Sequence, residues 1–231
     1  MRTRLVIVGI VLVAAAAAVG VVVALMGLLG PWPGLAAGAL GAAAVLVAYR
    51  RWAQPWQHRW GATDEEVGVA MPGDELIPDA ASTTRAITIA ARPEQVWPWL
   101  VQLGYGRAGW YSYDWIDNDG RRSADRVVPE LQDLEVGDQI PMIPGVGPRV
   151  RAIEPDRHLV AGDVDGGTWC LTLRPVAGGA RLVSRWRVRW ARTPATAFWI
   201  LLSDPGAFIM ERRMLKGLKA RVERAAAHAA A

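Results

Sequence analysis

The chain has 231 residues, 52% of them apolar, with 12 tryptophans, a single cysteine and a formal net charge of +4. A lone cysteine excludes an internal disulfide, and His58, His158 and His228 are too scattered for a Cys/His zinc site, so neither metal nor cofactor is expected. The basic residues gather at the edge of an apolar N-terminus, in one strand and in the last helix, a pattern that suits anionic lipid and gives no expectation of nucleic-acid binding.

Leu5 to Leu29 form an uncharged run of 25 residues, and after Pro31-Trp32-Pro33-Gly34 a second uncharged run extends from Leu35 to Tyr49. At the helical rise the first is about 37 Å long, enough to cross a hydrocarbon core of about 30 Å with some tilt. The second is only about 22 Å, but Trp32 and Trp52 flank it and indoles favour the membrane interface, so a helix from Pro33 to Trp52 is long enough. The expectation is a transmembrane helical hairpin over residues 1–52. Arg2 and Arg4 precede it, Arg50, Arg51 and Arg59 follow it, and the link is uncharged. The positive-inside bias therefore predicts a multi-pass inner (plasma) membrane protein with its soluble domain in the cytoplasm. A cleaved signal peptide is one alternative, although its apolar core should be only about 7–15 residues. A hairpin that enters and leaves one leaflet is another. Gly27, Gly30, Gly34, Gly38 and Gly41 offer close helix packing, most simply within the hairpin.

Residues 53–82 contain Pro55, Pro72, Pro78, glycines and acids without a sustained period, and read as a linker over the surface of a domain at 83–228. Thr84 to Ala90 alternates as a half-buried strand, with Ile87 and Ile89 on one face. Arg92-Pro93-Glu94 opens a helix whose apolar face is Val96, Trp97, Leu100, Val101 and Leu103, and Pro98 should kink or divide it. Strands are then expected at Gln139 to Ile143, Arg149 to Ile153, Leu159 to Val164, Thr168 to Val176 and Arg181 to Trp190, with Gly178-Gly179 marking a hairpin. In the last strand Leu182, Ser184, Trp186, Val188 and Trp190 share one face, and Arg181, Arg185, Arg187 and Arg189 the other. The arginines read first as a solvated outer face, with lipid headgroup contact as the alternative. A closing helix from Pro205 to Ala227 puts Phe208, Leu215, Leu218 and Val222 on one stripe, with Glu211 inside it and Arg213, Lys216 and Arg224 away from it. The fold class is α+β, an antiparallel sheet able to curl around a long C-terminal helix, preceded by two transmembrane helices.

Ala91-Arg92-Pro93-Glu94-Gln95-Val96-Trp97 after a strand, Gly109-Trp110-Tyr111-Ser112-Tyr113-Asp114-Trp115, Ser123-Ala124-Asp125-Arg126, Pro129-Glu130, Val136-Gly137-Asp138 and Met210 to Gly217 together resemble the START-like (SRPBCC, Bet v 1-like) superfamily, which includes polyketide cyclase/dehydrase and lipid-transport members. The resemblance covers about Thr83 to Glu223 and is with an uncharacterised bacterial branch. It implies a helix-grip fold with a hydrophobic ligand cavity between sheet and helix, and leaves activity open, because carriers, sensors and enzymes share the fold.

Combined with the strand and helix faces, this makes Trp97, Trp169, Trp186, Met214 and Leu218 candidate cavity residues, with Trp110, Tyr111, Tyr113 and Trp115 near an entrance. The competing reading is that they simply fill the core. Glu211 on a buried stripe must find a cation or donors, or keep its proton; it is either a ligand-head or proton-transfer group or a structural partner of an arginine. Asp114 and Asp117 lie one helical turn apart and read as loop anchors before an acid/base pair. Gly104 to Gly109 spells G-x-G-x-x-G, but after a helix, and Asp117 to Gly120 mimics a calcium loop in the wrong register, so both read as turns. The functional expectation is a membrane-anchored, noncatalytic binding protein for a hydrophobic or amphipathic, lipid-like molecule, acting as carrier or sensor. Two alternatives remain: a cyclase/dehydratase-type enzyme using Glu211 or Asp114, and a noncatalytic membrane partner with a filled core.

Overall fold

Both apolar runs at the N-terminus are helical in the computed structural model, which describes residues 2–163, 166–190 and 193–230. Helix α1 is Arg2–Leu29 and α2 is Pro31–Ala48, with Gly30 at φ 91° making the turn and Pro31 opening the second helix. The glycines act within this pair: a Cβ on Gly34 would lie 2.3 Å from the Met26 Cα, and one on Gly38 would lie 3.0 Å from a Val22 methyl. Gly27 and Gly41 meet nothing within 4 Å and are not part of that seam. The helical course continues through a π turn, Tyr49–Ala53, and α3, Gln54–His58. Among the described residues, one helix is long and apolar enough to cross a membrane, the continuous stretch Pro31–His58; Ala15–Leu29 is a shorter apolar stretch. The chain divides into two compact units, Met1–Trp56 and Gln57–Ala231.

The second unit is mixed α+β, with a five-stranded antiparallel sheet of order β1-β5-β4-β3-β2. The strands are β1, Ala81–Ile89; β2, Arg149–Glu154; β3, His158–Asp163; β4, Gly167–Val176; and β5, Gly179–Val188. Two short helices, α4 (Asp64–Gly68) and α6 (Asp114–Asp117), lie in connections, and α5 (Pro93–Val101) and α7 (Pro194–Ala230) are longer. Helix α5 keeps Pro98 inside it without dividing. The β4–β5 hairpin pairs Val176 with Gly179, so the turn is Ala177-Gly178, with Gly178 at φ 79°. Three sequence expectations need correction. Gln139 to Ile143 makes isolated bridges to Arg149 and Val146 and forms no strand, β5 ends at Val188 before Trp190, and α7 begins eleven residues earlier than Pro205. Val164 lies outside the described residues.

Strand alternation gives the sheet two faces, and both are covered. On the inner face Ile89, Leu159, Leu171, Leu173 and Leu182 join Val96 and Leu100 of α5 and Leu215, Leu218 and Val222 of α7 in the main core. On the outer face Ala86, Val160, Cys170 and Val183 form a second apolar cluster closed by Met71. Residues 57–80 are therefore a strap docked on the sheet, and Arg181, Arg185 and Arg187 face it instead of a solvated surface. Arg185 spends all five N–H groups: Nε on Thr84 Oγ1 (2.9 Å), Nη1 on Val69 O (2.8 Å) and Asp74 Oδ2 (2.6 Å), Nη2 on Glu66 O (2.6 Å) and Val67 O (3.1 Å). Arg187 donates to the carbonyls of Ile77 (3.1 Å) and Pro78 (2.5 Å). Glu66 sits in a capping box with Thr63 and accepts from Arg174 (2.9 Å) and from Arg181 (2.8 Å to each oxygen).

The Arg181 hydrogen bond, aided by Thr63 and Arg174, outweighs burial and holds the Glu66 carboxyl down at about 2 from its ordinary 4.5. Its contribution to stability is thus fully present above about pH 4.5 and is lost as pH falls toward 2. Glu66→Gln is expected to lower the urea midpoint of the detergent-solubilised chain at neutral pH, and to match the parent near pH 2, with tryptophan fluorescence as readout.

Candidate functional site

On the inner face, the β4–β5 register sets Trp169 opposite Trp186, and their rings stack at 5.0 Å and 9°. Trp110, from the segment after α5, tilts against Trp169 at 5.9 Å. Two residue pairs further along the same register, on the same face, Ser184 lies opposite Leu171 and beside Arg85 of β1. Trp169 Nε1 donates to Ser184 Oγ (2.9 Å), Ser184 Oγ donates to Glu211 Oε1 (2.6 Å), and Arg85 Nη1 donates to Glu211 Oε2. Arg85 Nε donates to Gln57 O (2.9 Å), and its guanidinium lies 5.4 Å from the Phe208 ring centre. A buried carboxylate needs this much compensation. The arrangement is an indole wall ending in a polar chain of serine, carboxylate and guanidinium. Glu211 therefore has an arginine partner, with each of its oxygens engaged.

Trp97, Met214 and Leu218 are buried in the same core, and Trp186 is half-buried. Tyr111, expected near an entrance, is instead fully buried: its hydroxyl accepts from Gln102 Nε2 (2.7 Å) and donates to Trp99 O (3.2 Å), and burial pushes it up to about 12. Its φ of 54° is strained for a tyrosine, and the turn is held because a Cβ on Gly217 of α7 would lie 2.0 Å from the Tyr111 carbonyl oxygen. Tyr113 is half-buried with Arg213 5.9 Å from its ring centre, and Trp115 is 54% exposed.

Helix α6 brings Asp114 and Asp117 onto one turn, and their environments differ. Asp114 is an anchor: Oδ1 accepts from Ser123 Oγ (2.5 Å) and Oδ2 from Ser123 N (3.0 Å), and Ser123 Oγ in turn accepts from Tyr111 N (3.0 Å). Asp117 is 8% exposed, and among the described residues neither of its oxygens has a hydrogen-bond partner. Nearby Ser112 spends its hydroxyl proton on Met210 O (3.0 Å). Burial first, and the Asp114 charge second, raise the Asp117 carboxyl to about 6. Asp117 is thus a group able to hold and release a proton near neutrality. Sequence reasoning missed Arg85 and Asp117 in these roles. The signal for Arg85 was its place on the Ile87 and Ile89 face of β1, where a cation demands a buried partner.

No protein-family model matches the chain, and no curated protein matches it. Among solved structures it is similar to protein CV1439 from Chromobacterium violaceum, at 18% identity and a TM-score of 0.40 over 62% of this chain and 98% of that one. It is also similar to protein NE0264 from Nitrosomonas europaea, at 13% identity and a TM-score of 0.39 over 67% and 99%, and to the KanY protein, at 15% and 0.41 over 62% and 98%.

Two outcomes follow from the geometry. Glu211→Leu, which strands the Arg85 charge, should cost about 3–5 kcal/mol in urea denaturation, and adding Arg85→Met should recover most of it. Because the folded Asp117 carboxyl titrates at about 6 against an ordinary 3.8, its stabilising effect is complete below pH 3.8 and lost as pH rises through 6. Asp117→Asn should then exceed the parent by roughly 1–3 kcal/mol at mildly alkaline pH, with the gap closing toward acid, read from paired denaturation curves.

Proposed function

We propose that the chain is a START-like binding protein for a hydrophobic or amphipathic, lipid-like molecule, a carrier or sensor, held at the inner membrane by its N-terminal helices. The carrying observation is the indole wall of Trp110, Trp169 and Trp186 ending in the Ser184–Glu211–Arg85 chain between sheet and α7. Flat apolar surface beside a fixed polar end suits a ligand with a ring or chain and a polar head. The half-buried Trp186 is the point of entry in this reading. In this reading the apolar N-terminal segment is the membrane anchor, and the arginines at 2, 4, 50, 51 and 59 keep the second unit on the cytoplasmic side. Tethering raises the effective concentration of a binding unit beside a pool of bilayer molecules.

A second reading, an enzyme of the cyclase or dehydratase type, draws on Asp117, whose carboxyl keeps its proton to about pH 6. Glu211 and Asp114 are poor general bases because hydrogen bonds occupy both oxygens of each.

The test is native mass spectrometry of the full-length protein released gently from its own membrane, followed by extraction of what it carries. A stoichiometric hydrophobic molecule, lost in Trp186→Ala while the tryptophan fluorescence of the folded state persists, is the expected result. A protein that emerges empty, and ignores a panel of lipids and polyketides, rejects the ligand-binding reading. Turnover of a captured molecule that Asp117→Asn abolishes would move the assignment to the enzyme.

A further inference from the structure

Helix α7 is longer than its packing on the sheet requires. Its buried stripe, Phe208, Leu215, Leu218 and Val222, begins fourteen residues after Pro194. Before it, residues 193–203 carry no charged side chain. Trp199 is 60% exposed, Leu202 48% and Ile209 51%. At 100° per residue these three fall within a sector of about 80°, on the side of the helix opposite the buried stripe. The helix thus has two apolar faces, one packed on the sheet and one bare.

We propose that this second face is a lipid surface: the N-terminal half of α7 lies in the interfacial layer of the anionic bilayer that the N-terminal helices enter. The inference rests on the reading of those helices as a membrane anchor. Within the second unit, His58 bonds to Asp204 of α7 at 2.8 Å, two residues after Leu202 in the chain and on the side of the helix that faces away from Trp199 and Leu202. An indole with two aliphatic side chains is the composition of an interfacial helix face, and the exposed Arg213 follows Ile209 by one turn on the same side, where an anionic headgroup would meet it. The exposed Arg189 and Trp190 precede the helix in the chain and add a cation and an indole of the same kind.

The experiment uses the full chain with Cys170→Ala, reconstituted into phosphatidylcholine vesicles with or without phosphatidylglycerol. Single cysteines carrying an environment-sensitive fluorophore are placed at Leu202, at Leu40 in the hairpin and at the exposed Trp115 as the aqueous reference. Expected is emission from the Leu202 label that shifts to the blue and falls roughly twofold with nitroxide lipid, more strongly with phosphatidylglycerol, while the Trp115 label responds only to aqueous iodide. A Leu202 label open to iodide, beside a Leu40 label that lipid quenches, overturns this proposal and leaves the anchor standing. A Leu40 label that lipid does not quench overturns the anchor. Protection of Leu202 from both quenchers means that protein covers the stripe, and this too overturns the proposal.

Discussion

A guanidinium taken out of water needs acceptors for its N–H groups, and Arg185 is given four of its five by a segment that has almost no regular structure of its own and the fifth by Thr84 of β1. The requirement runs both ways. Without residues 57–80, the outer face of the sheet would present the Arg185 guanidinium and an apolar cluster to water; without Arg185, the carbonyls of Glu66, Val67 and Val69 would lose these donors. Arg181 and Arg187 extend the same exchange toward either end of the strand, so three residues on one face of β5 fasten the strap along its length. The sheet is thereby sandwiched, with α5 and α7 on one side and the strap on the other.

This explains how far the fold could be read in the sequence. Wherever one face of an element was apolar and the other polar, periodicity found it: β1, β4, β5 and the sheet-facing part of α7 are such elements. The strap has no period, because its fit depends on backbone carbonyls aimed at three arginines, and carbonyls leave no trace in side-chain order. Its one local signature is the capping box of Thr63 and Glu66. The arginine alternation on β5 was visible, but alternation alone cannot tell a face turned to water from one turned to a strap. The early start of α7 was obscured for a similar reason, since a helix apolar all round shows no stripe.

The candidate site was legible in its residue types more than in their roles. Glu211 stood out as an acid on a buried stripe, and one of its two expected fates, pairing with an arginine, is the arrangement found. The partner, 126 positions away in the chain, belongs to tertiary register and not to local pattern. Asp114 and Asp117 looked equivalent, and one serine separates them: Ser123 supplies both its hydroxyl and its backbone N–H to Asp114 and nothing to Asp117. Hydrogen bonds thus fix Asp114 in place, while burial and the neighbouring carboxylate make ionisation costly at Asp117.

The strap also turns the chain's single cysteine into an internal gauge. Cys170 lies in the outer apolar cluster under Met71, and burial pushes its thiol up to about 12, so in the closed molecule it has neither access nor reactivity. Lifting the strap changes both at once. The rate at which a thiol reagent consumes this sulfur is therefore a clock for the opening of one layer of the sandwich, running inside the unaltered protein.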